Sequence, residues 1–221
     1  MTTWLESPWL VLDTETTGLG PTSRIVELAA VEMCRGEPTG PARRALIDPG
    51  IPIPAEATAV HGIDDAAVKG CPTIEAIAPG ICARVAAAQV IVAYNAPYDL
   101  EVLDRTCPGF AEARAHCLVY DPLVVVRFAF HFWKGSGRHK LTSAYERLAL
   151  EPLPEMAKAH SAKWDAIMAG RIGWALKAYP PPDLVAARDW LATKAAAQEA
   201  EFQAWRARQA SAPNSHGAPP A

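Results

Sequence analysis

The chain has 221 residues, 50% hydrophobic and 20% charged, which suits one domain, alone or with an appendage, and excludes a disordered polymer. Its 21 lysines and arginines against 24 aspartates and glutamates leave a formal net charge of −3, which excludes a generally basic coat for nucleic acid. That charge does not exclude an enzyme that holds nucleic acid locally through metal ions. The five cysteines are scattered and form no CxxC pair, so the sequence predicts reduced thiols.

The sequence predicts neither a targeting signal nor a membrane span. Residues 1–8 contain Glu6 and no basic run, so they do not resemble a signal peptide. The most apolar stretch, residues 123–133, is interrupted by Arg127 and His131. It is also shorter than the roughly 20 residues that cross a bilayer. We therefore expect a cytoplasmic protein that makes no membrane contact.

Short apolar runs predict strands, and segments with apolar residues at helical spacing predict helices. The predicted strands are residues 9–12, 24–34, 43–48, 89–94 and 117–120. The predicted helices are residues 73–85, 95–105, 122–132, 141–150, 163–178 and 183–210. Asn95 is the expected N-cap of the second helix, and Pro79 is expected either to start a new turn in the first helix or to kink it. Strands that come first and then alternate with helices are typical of an α/β fold.

Three consecutive prolines at positions 180–182 mark the expected end of the compact domain. We therefore predict a domain over residues 1–180 and a helical extension over residues 181–210. Residues 211–221 are rich in proline, alanine, serine and glycine, a composition typical of a disordered tail. The extension fits either a packing helix, a lid or a docking element for a partner.

The first candidate site is Asp13-Thr14-Glu15, at the end of the first predicted strand. Side chains two apart on a strand project from the same face, so Asp13 and Glu15 emerge side by side. Two buried like charges are unfavourable unless a cation neutralises them, and oxygen ligands favour Mg²⁺ or Mn²⁺ over zinc. The pair alone fits equally well a turn with solvated acids.

Three further residues extend this candidate site. Asp99 follows a second buried strand, in the first turn of a helix, where the strand end brings it towards Asp13. Asp165 begins another helix, and His160 precedes it by five positions. Each of these residues also has an ordinary structural explanation. The helix dipole favours acidic residues in the first turn, and a single histidine is more often structural than catalytic.

Several short motifs occur in order between residues 9 and 178. They are DTETTGL at 13–19, RIVEL at 24–28, VHGI at 60–63, NAPYD at 95–99, KL at 140–141, and His160 followed by Asp165. In this combination the sequence resembles the DEDDh family of 3′–5′ exonucleases, the DnaQ-like group of the ribonuclease H-like superfamily. A related subgroup carries a tyrosine four positions before the last aspartate. Ser161 stands there, so the resemblance is to the histidine version.

The resemblance implies a fold and a mechanism. The implied fold is an α/β, ribonuclease H-like fold whose central five-stranded mixed sheet has an antiparallel second strand and is flanked by helices. Asp13, Glu15, Asp99 and Asp165 are implied to hold two Mg²⁺ or Mn²⁺ ions, with His160 as general base for the attacking water. The implied products are nucleoside 5′-monophosphates released from a 3′ end.

The resemblance also implies a set of substrate-binding residues: Thr16, Thr17, Leu19, His61, Asn95, Tyr98 and His160. Leu19 corresponds to a family position that wedges against the terminal base, and Thr17 to one near the 3′-hydroxyl. Tyr98 fits base stacking or core packing, and His61 fits nucleotide binding or capping of its own loop. Tyr94 and Tyr98 depart from the histidine and phenylalanine that are common in the family, which puts the terminal-base preference in doubt.

Residues 134–140 contain three basic residues and no acid, which fits either contact with upstream phosphates or a solvated loop. The leading prediction is a 3′–5′ exonuclease that acts on single-stranded or 3′-ended nucleic acid, with DNA favoured, in repair or proofreading. An exoribonuclease is the enzymatic alternative, and an inactive nucleic-acid-binding or scaffold domain is the alternative of a different class. A DNA polymerase or a repair protein is the candidate protein partner.

Overall fold

One mixed sheet occupies the centre of the computed structural model, which describes residues 3–135, 137–153 and 160–211. Its strands are β1 (Trp9–Thr16), β2 (Ile25–Cys34), β3 (Glu37–Pro38), β4 (Arg43–Leu46), β5 (Val90–Val92) and β6 (Leu118–Tyr120). The order is β3-β2-β1-β5-β6, and β4 also pairs with β2. Strand β2 is antiparallel to β1, whereas β5 is parallel to β1 and to β6. The predicted mixed sheet with an antiparallel second strand is confirmed.

The described part of the sheet contains six strands where five were expected. Strands β3 and β4 both lie along β2, β3 against residues 33–34 and β4 against residues 27–30. The sheet is therefore five positions wide, with two short strands sharing one edge position. This sharing reconciles the six strands with the five-stranded expectation.

Strand β1 is longer than the predicted strand 9–12, because its polar end also pairs with β2. Asp13 lies opposite Ala29, and Glu15 lies opposite Glu27. Backbone pairing does not depend on side-chain polarity, so the antiparallel partner extends the strand through the acidic residues. A register shift between Glu15 and Thr16 then ends the regular pairing.

Nine helices surround this sheet in the described residues. They are α1 (Ala55–His61), α2 (Asp65–Val68), α3 (Ile74–Ala87), α4 (Ala96–Thr106), α5 (Phe110–Arg114), α6 (Pro122–Ala129), α7 (Leu141–Arg147), α8 (Ala162–Ala175) and α9 (Leu184–Ser211). The short helices α1, α2 and α5 were not predicted, and α6 ends three residues before its predicted end. Pro79 lies inside α3, which continues past it. None of these helices is long and apolar enough to cross a membrane.

Alternating side chains of β1 face two different core layers. Trp9 and Val11 pack with α8 on one face, whereas Leu10 and Leu12 pack with α3 and α4 on the other. Helix α8 lies close to the sheet because it presents glycine there: a Cβ at Gly173 would lie 2.9 Å from Tyr120 Cε1 and 3.3 Å from Trp9 Cζ3. This close packing fixes the helix that carries Asp165.

The first half of α9 packs on the rest of the chain. Ala187 and Leu191 are buried, and the Gln198 side-chain amide donates to the Val124 carbonyl oxygen at 2.9 Å. Farther along, Phe202 and Trp205 are each 50% exposed. The predicted disordered tail, residues 211–221, lies outside the described residues except for Ser211, the last residue of α9.

Candidate active site

The four predicted carboxylates meet at the end of β1. Asp13 and Glu15 project from β1 towards the layer that contains α8, and Asp165 lies in the first turn of α8. Asp99 lies in the first turn of α4, which follows β5. Because β5 is parallel to β1, the carboxyl ends of the two strands lie at the same sheet edge. The fold therefore brings the four acidic side chains together from three separate segments.

Three of the predicted catalytic residues approach within ligand distance of one another. One donor atom each from Glu15, His160 and Asp165 lies within 4.8 Å of the other two. Asp99 is fixed beside them, because its Oδ1 accepts hydrogen bonds from the Thr14 amide at 2.9 Å and the Thr14 hydroxyl at 2.6 Å. Asp13 is close enough to the other carboxylates for their charges to act on it.

The four carboxylates are largely buried and lie close together, and the pKa of each is raised. Burial is the largest cause for each, raising the pKa of Asp13 well above its ordinary value and that of Glu15 to about 8. The pKa of Asp99 is raised to about 7, although the Thr14 hydrogen bonds oppose the rise, and that of Asp165 to about 6. Neighbouring carboxylates add to the effect at Asp13 and Glu15. A bound cation would relieve both burial and repulsion.

Asp165 gives a specific test of whether divalent cations fit this cluster. The residue is 8% exposed, and its buried Oδ1 has no hydrogen-bond partner among residues 3–135, 137–153 and 160–211. A buried carboxylate oxygen without a donor is unfavourable unless a cation occupies that position. The donor set is mainly carboxylate oxygen, which suits Mg²⁺ or Mn²⁺. The residues present therefore fit divalent ions.

His160 lies at the entrance of this cluster. Its side chain is exposed and its backbone has a φ of 65°, the left-handed region that a non-glycine residue seldom adopts. The turn places the residue just before Ser161, from which α8 begins. The proximity of the imidazole is the main effect that lowers the pKa of Asp165 against the larger effect of burial. Solvent access combined with contact to the carboxylates suits a group that exchanges protons.

The last residue of β1 and the turn that follows it carry three of the predicted substrate-binding residues. Thr16 and Thr17 are buried, and Leu19 is 87% exposed. The Thr17 hydroxyl accepts a hydrogen bond from the Arg24 amide at 3.0 Å, so this side chain closes the turn. Leu19 is therefore an apolar side chain that a stable turn holds out to solvent.

Tyr98 contacts this turn through its hydroxyl group. The hydroxyl donates to the Gly18 carbonyl oxygen at 3.1 Å and shares a short hydrogen bond with the Thr16 hydroxyl. A phenylalanine could make neither bond, which gives a structural reason for the tyrosine that departs from the family pattern.

His61 uses both ring nitrogens within the described protein. Its Nδ1 accepts from the Ile63 amide at 3.1 Å, and its Nε2 lies 3.2 Å from the Thr16 carbonyl oxygen. With Nδ1 as acceptor, Nε2 is the protonated nitrogen that donates to Thr16. Burial is the main cause that lowers the pKa of this ring. The geometry favours the loop-capping interpretation of His61 and places the residue beside the turn after β1.

Asn95 is the N-cap of α4, as predicted, but its side chain makes no capping hydrogen bond there. The residue is left-handed, with φ 68°, and its amide donates instead to Asp121. Both oxygens of Asp121 are used at this helix end, with the Asn95 and Ala96 amides each at 3.0 Å. Asp121 also accepts from the Leu123 amide at 2.8 Å. One buried carboxylate thus caps two helices, including the one that carries Asp99.

Glu27, like Asp121, has a role at the site that the sequence analysis did not predict. It lies opposite Glu15 on β2 and is 1% exposed. Its carboxylate accepts from the Ala162 amide at 2.8 Å and pairs with Arg44. Ala162 is the first residue of α8, so Glu27 joins the sheet to the helix start that carries His160 and Asp165. Its charge also contributes to the raised pKa of Glu15.

Sequence signals for both of these residues exist. Asp121 directly follows a buried strand, as Asp99 follows another at a longer interval. Glu27 interrupts an apolar strand segment, where a buried charge requires a partner. Neither signal identifies the residue that the acid contacts. The partners, the backbone amides of Ala96 and Ala162, belong to alanines far along the chain that have no distinguishing sequence feature.

Trp164, next to Asp165, packs at the edge of the core layer that contains α8. Lys163 Nζ lies 4.2 Å from the centre of its ring. Trp164 therefore has a packing role beside the candidate site.

The geometry can be compared with that of known proteins. The model of the exonuclease family (RNase_T) matches residues 10–172, which include all five predicted catalytic residues. A DNA polymerase III subunit epsilon-like protein of Rhodobacter capsulatus is 46% identical over 162 residues, 72% of this chain and 22% of that protein. An uncharacterized exonuclease of Escherichia phage 186 is 40% identical over 176 residues, 75% of this chain and 86% of that protein.

Among solved structures, exonuclease X in complex with 5′-overhanging duplex DNA superposes with a TM-score of 0.66 at 23% identity, covering 83% of this chain and 99% of that one. At this identity the likeness shows the fold. The chain spans about a fifth of the Rhodobacter relative and most of the phage relative.

Proposed function

The chain belongs to the exonuclease family (RNase_T), in the DnaQ-like group of the ribonuclease H-like superfamily, and from that membership we propose a 3′–5′ exonuclease. It removes nucleoside 5′-monophosphates one at a time from a 3′ end, with DNA as the favoured substrate. The observation that carries the proposal is the buried carboxylate cluster with the unpartnered Asp165 Oδ1 and the adjacent exposed His160. The names of the epsilon-like relative and of the DNA-bound exonuclease X support DNA as substrate.

In this proposal Asp13, Glu15, Asp99 and Asp165 hold two Mg²⁺ or Mn²⁺ ions. When bound, such ions stabilise charge on the attacking and leaving oxygens of a phosphodiester. The raised pKa values of the metal-free carboxylates support this role, because each cation removes repulsion that the fold otherwise retains. Thr14 keeps Asp99 oriented through its two hydrogen bonds.

His160 accepts a proton at a ring nitrogen from the water that attacks the terminal phosphodiester. As the water oxygen bonds to phosphorus, the bond from phosphorus to the 3′-oxygen of the preceding nucleotide breaks. The released mononucleotide keeps the phosphate, and the departing 3′-oxygen takes up a proton from solvent water, so that the remaining strand ends in a new 3′-hydroxyl. Histidine suits this step because imidazole exchanges protons near neutral pH, and the exposed position of His160 lets it return the proton to solvent.

The turn after β1 and the start of α4 bind the terminal nucleotide in this proposal. Leu19 packs against the terminal base, and its exposure supports that role. Tyr98 holds the turn through Thr16 and presents its ring at the start of α4. Thr17, His61 and Asn95 support the same pocket, Thr17 and His61 by fixing its backbone.

We also propose that residues 1–180 form the catalytic domain and that α9 is an extension of it. The buried contacts of Ala187 and Leu191 make the first half of α9 part of the packed structure. Removal of residues 199–221 should therefore leave the protein folded and active. A DNA polymerase or a repair protein is the proposed partner of this later segment, supported by the name of the epsilon-like relative.

The test is hydrolysis of 5′-labelled single-stranded DNA, duplex DNA, mismatched duplex DNA and RNA, each with Mg²⁺, Mn²⁺ or EDTA. We expect stepwise shortening of the labelled DNA from its 3′ end with either metal and none with EDTA. Asp165→Asn should abolish hydrolysis, and Asp189→Asn, an exposed change on α9, should not. Faster shortening of RNA would favour the exoribonuclease, and binding without hydrolysis would favour the scaffold domain.

His160 is tested separately. His160→Ala should reduce kcat strongly while leaving the Mn²⁺-induced rise in Tm in place. Hydrolysis by the variant at the parent rate would contradict the assignment of the base.

A further inference from the structure

A segment outside the carboxylate cluster combines basic and aromatic residues. Residues 127–147, here the aromatic–basic segment, contain five lysines and arginines and one glutamate, although the whole chain has a net charge of −3. The basic residues are Arg127, Lys134, Arg138, Lys140 and Arg147. Phe128, Phe130, Phe132 and Trp133 lie between them in sequence.

Phe130, Trp133 and His139 form a packed aromatic cluster within this segment, and Phe132 lies at its edge. Phe130 and Trp133 are stacked, with ring centres 4.4 Å apart and planes at 11°. His139 lies 5.9 Å from the Trp133 ring, and the Arg147 guanidinium lies 5.1 Å from it. Phe132 is 61% exposed, although its ring centre is only 6.1 Å from that of Phe130. A rigid base thus presents one phenylalanine ring to solvent.

The cluster is attached to the sheet edge at which the carboxylates lie. The Tyr94 hydroxyl donates to the His139 carbonyl oxygen at 2.6 Å. Tyr94 follows β5 and precedes Asp99 by five positions. Helix α7, the end of the segment, packs on α8, which carries Asp165. The fold therefore places the aromatic–basic segment beside the candidate active site.

We propose that Phe132, with Lys134, Arg138 and Lys140, binds the single strand upstream of the 3′ end that is being cut. This inference rests on the proposed function. Single-stranded nucleic acid is the occupant that the chemistry favours, because an exposed ring stacks on a base of any sequence and basic side chains contact the phosphates that follow it. The excess of positive charge in an otherwise acidic chain is complementary to that strand.

The test is the binding of a fluorescent thymidine 20-mer, measured by anisotropy in EDTA so that no hydrolysis intervenes. Phe132→Ala should weaken binding by about 5- to 150-fold, the range expected for loss of one stacked base. Phe132→Trp, which keeps an aromatic ring for stacking, should bind the 20-mer about as tightly as the parent. Phe202→Ala is the matched control, since Phe202 is also an exposed phenylalanine, 50% exposed, but lies on α9. The Phe202→Ala protein should bind the 20-mer as the parent does.

The charged residues are tested through salt dependence. Alanine at Lys134, Arg138 and Lys140 together should reduce the slope of log affinity against log salt by about 2, because each phosphate contact on a single strand contributes about 0.7. An unchanged slope, or Phe132→Ala protein that binds the 20-mer as tightly as the parent, overturns the proposal. A protein partner on this surface would give that same unchanged binding.

Hydrolysis of thymidine 5′-(p-nitrophenyl phosphate), which has no upstream strand, separates this inference from the proposed function. Phe132→Ala should cleave it at the parent rate with Mn²⁺. If the parent cleaves neither this ester nor the 20-mer, the proposed function fails, whereas the binding measurement still decides the role of Phe132.

Discussion

Removal of the Glu27 carboxylate tests how the sheet positions the helix that bears two catalytic candidates. Glu27→Ala leaves the buried Ala162 amide without its acceptor, which costs about 1–3 kcal/mol. It also removes the pair with Arg44, worth about 0–1 kcal/mol because the Arg44 side chain is 47% exposed. The free energy of unfolding should therefore fall by about 1–4 kcal/mol. Glu27→Gln keeps an oxygen for the amide and should lose only about 0–1 kcal/mol.

The effect on catalysis should exceed the effect on stability. Ala162 lies two residues after His160 and three before Asp165, so a shifted helix start displaces both side chains. A misplacement of about 1 Å can reduce turnover about 100-fold. We expect a loss of that size in kcat for Glu27→Ala, and a loss below about tenfold for Glu27→Gln.

The assay combines urea unfolding with steady-state hydrolysis of a 5′-labelled oligonucleotide, at a urea-free condition where every variant is folded. Glu32→Ala is the matched control, because Glu32 also lies on β2 and pairs with an arginine, Arg84, but away from the cluster. The reasoning is refuted if Glu27→Ala loses no more stability than Glu32→Ala. It is refuted equally if the two variants retain the same kcat.

Three further predictions concern packing, metal binding and pH. Gly173→Ala should be about 1–3 kcal/mol less stable than Gly80→Ala in urea unfolding. The Cβ added at Gly173 meets the rings of Tyr120 and Trp9, whereas the one added at Gly80 meets open space. Equal stabilities of the two variants would contradict the close packing of α8. Mn²⁺ should raise the Tm of the parent and not that of Asp165→Asn, measured by differential scanning fluorimetry, and an equal rise would place the ion elsewhere. In the metal-free protein the raised pKa of Glu15 means that the folded state holds a proton that the unfolded state releases, so Tm should fall as pH rises from about 4.5 to about 8. Saturating Mn²⁺ should lessen that fall, and a flat Tm without metal would contradict the cause.

The parts of the fold that follow from local pattern could be predicted from the sequence. Apolar runs indicated the strands, and the spacing of Asp13 and Glu15 indicated a shared face. The antiparallel second strand was implied by the family resemblance and not by local pattern. The extension of β1 through these residues depends on pairing with β2, a contact between separate segments. Strand β1 was therefore predicted too short.

The polar contacts that orient the site could not be predicted, because they depend on tertiary structure. Asn95 looked like a helix cap by residue type, yet Asp121, 26 positions later, supplies the capping oxygens. Glu27 reaches the Ala162 amide across 135 positions. The sequence shows such residues as isolated acids, and only the fold shows what they hold. The catalytic roles of the carboxylates remain predictions that the geometry supports.

The central claim, a metal-dependent exonuclease that acts from the 3′ end, is tested most directly by product analysis of a single oligonucleotide. A single-stranded DNA labelled at its 5′ end and carrying a distinct base at its 3′ terminus is incubated with the parent protein and Mn²⁺. The account predicts that the 3′-terminal nucleoside 5′-monophosphate is the first product, that the label stays on a strand shortened by one nucleotide at a time, and that EDTA stops the reaction. Release of the labelled 5′ nucleotide first, or undiminished release in EDTA, would contradict it.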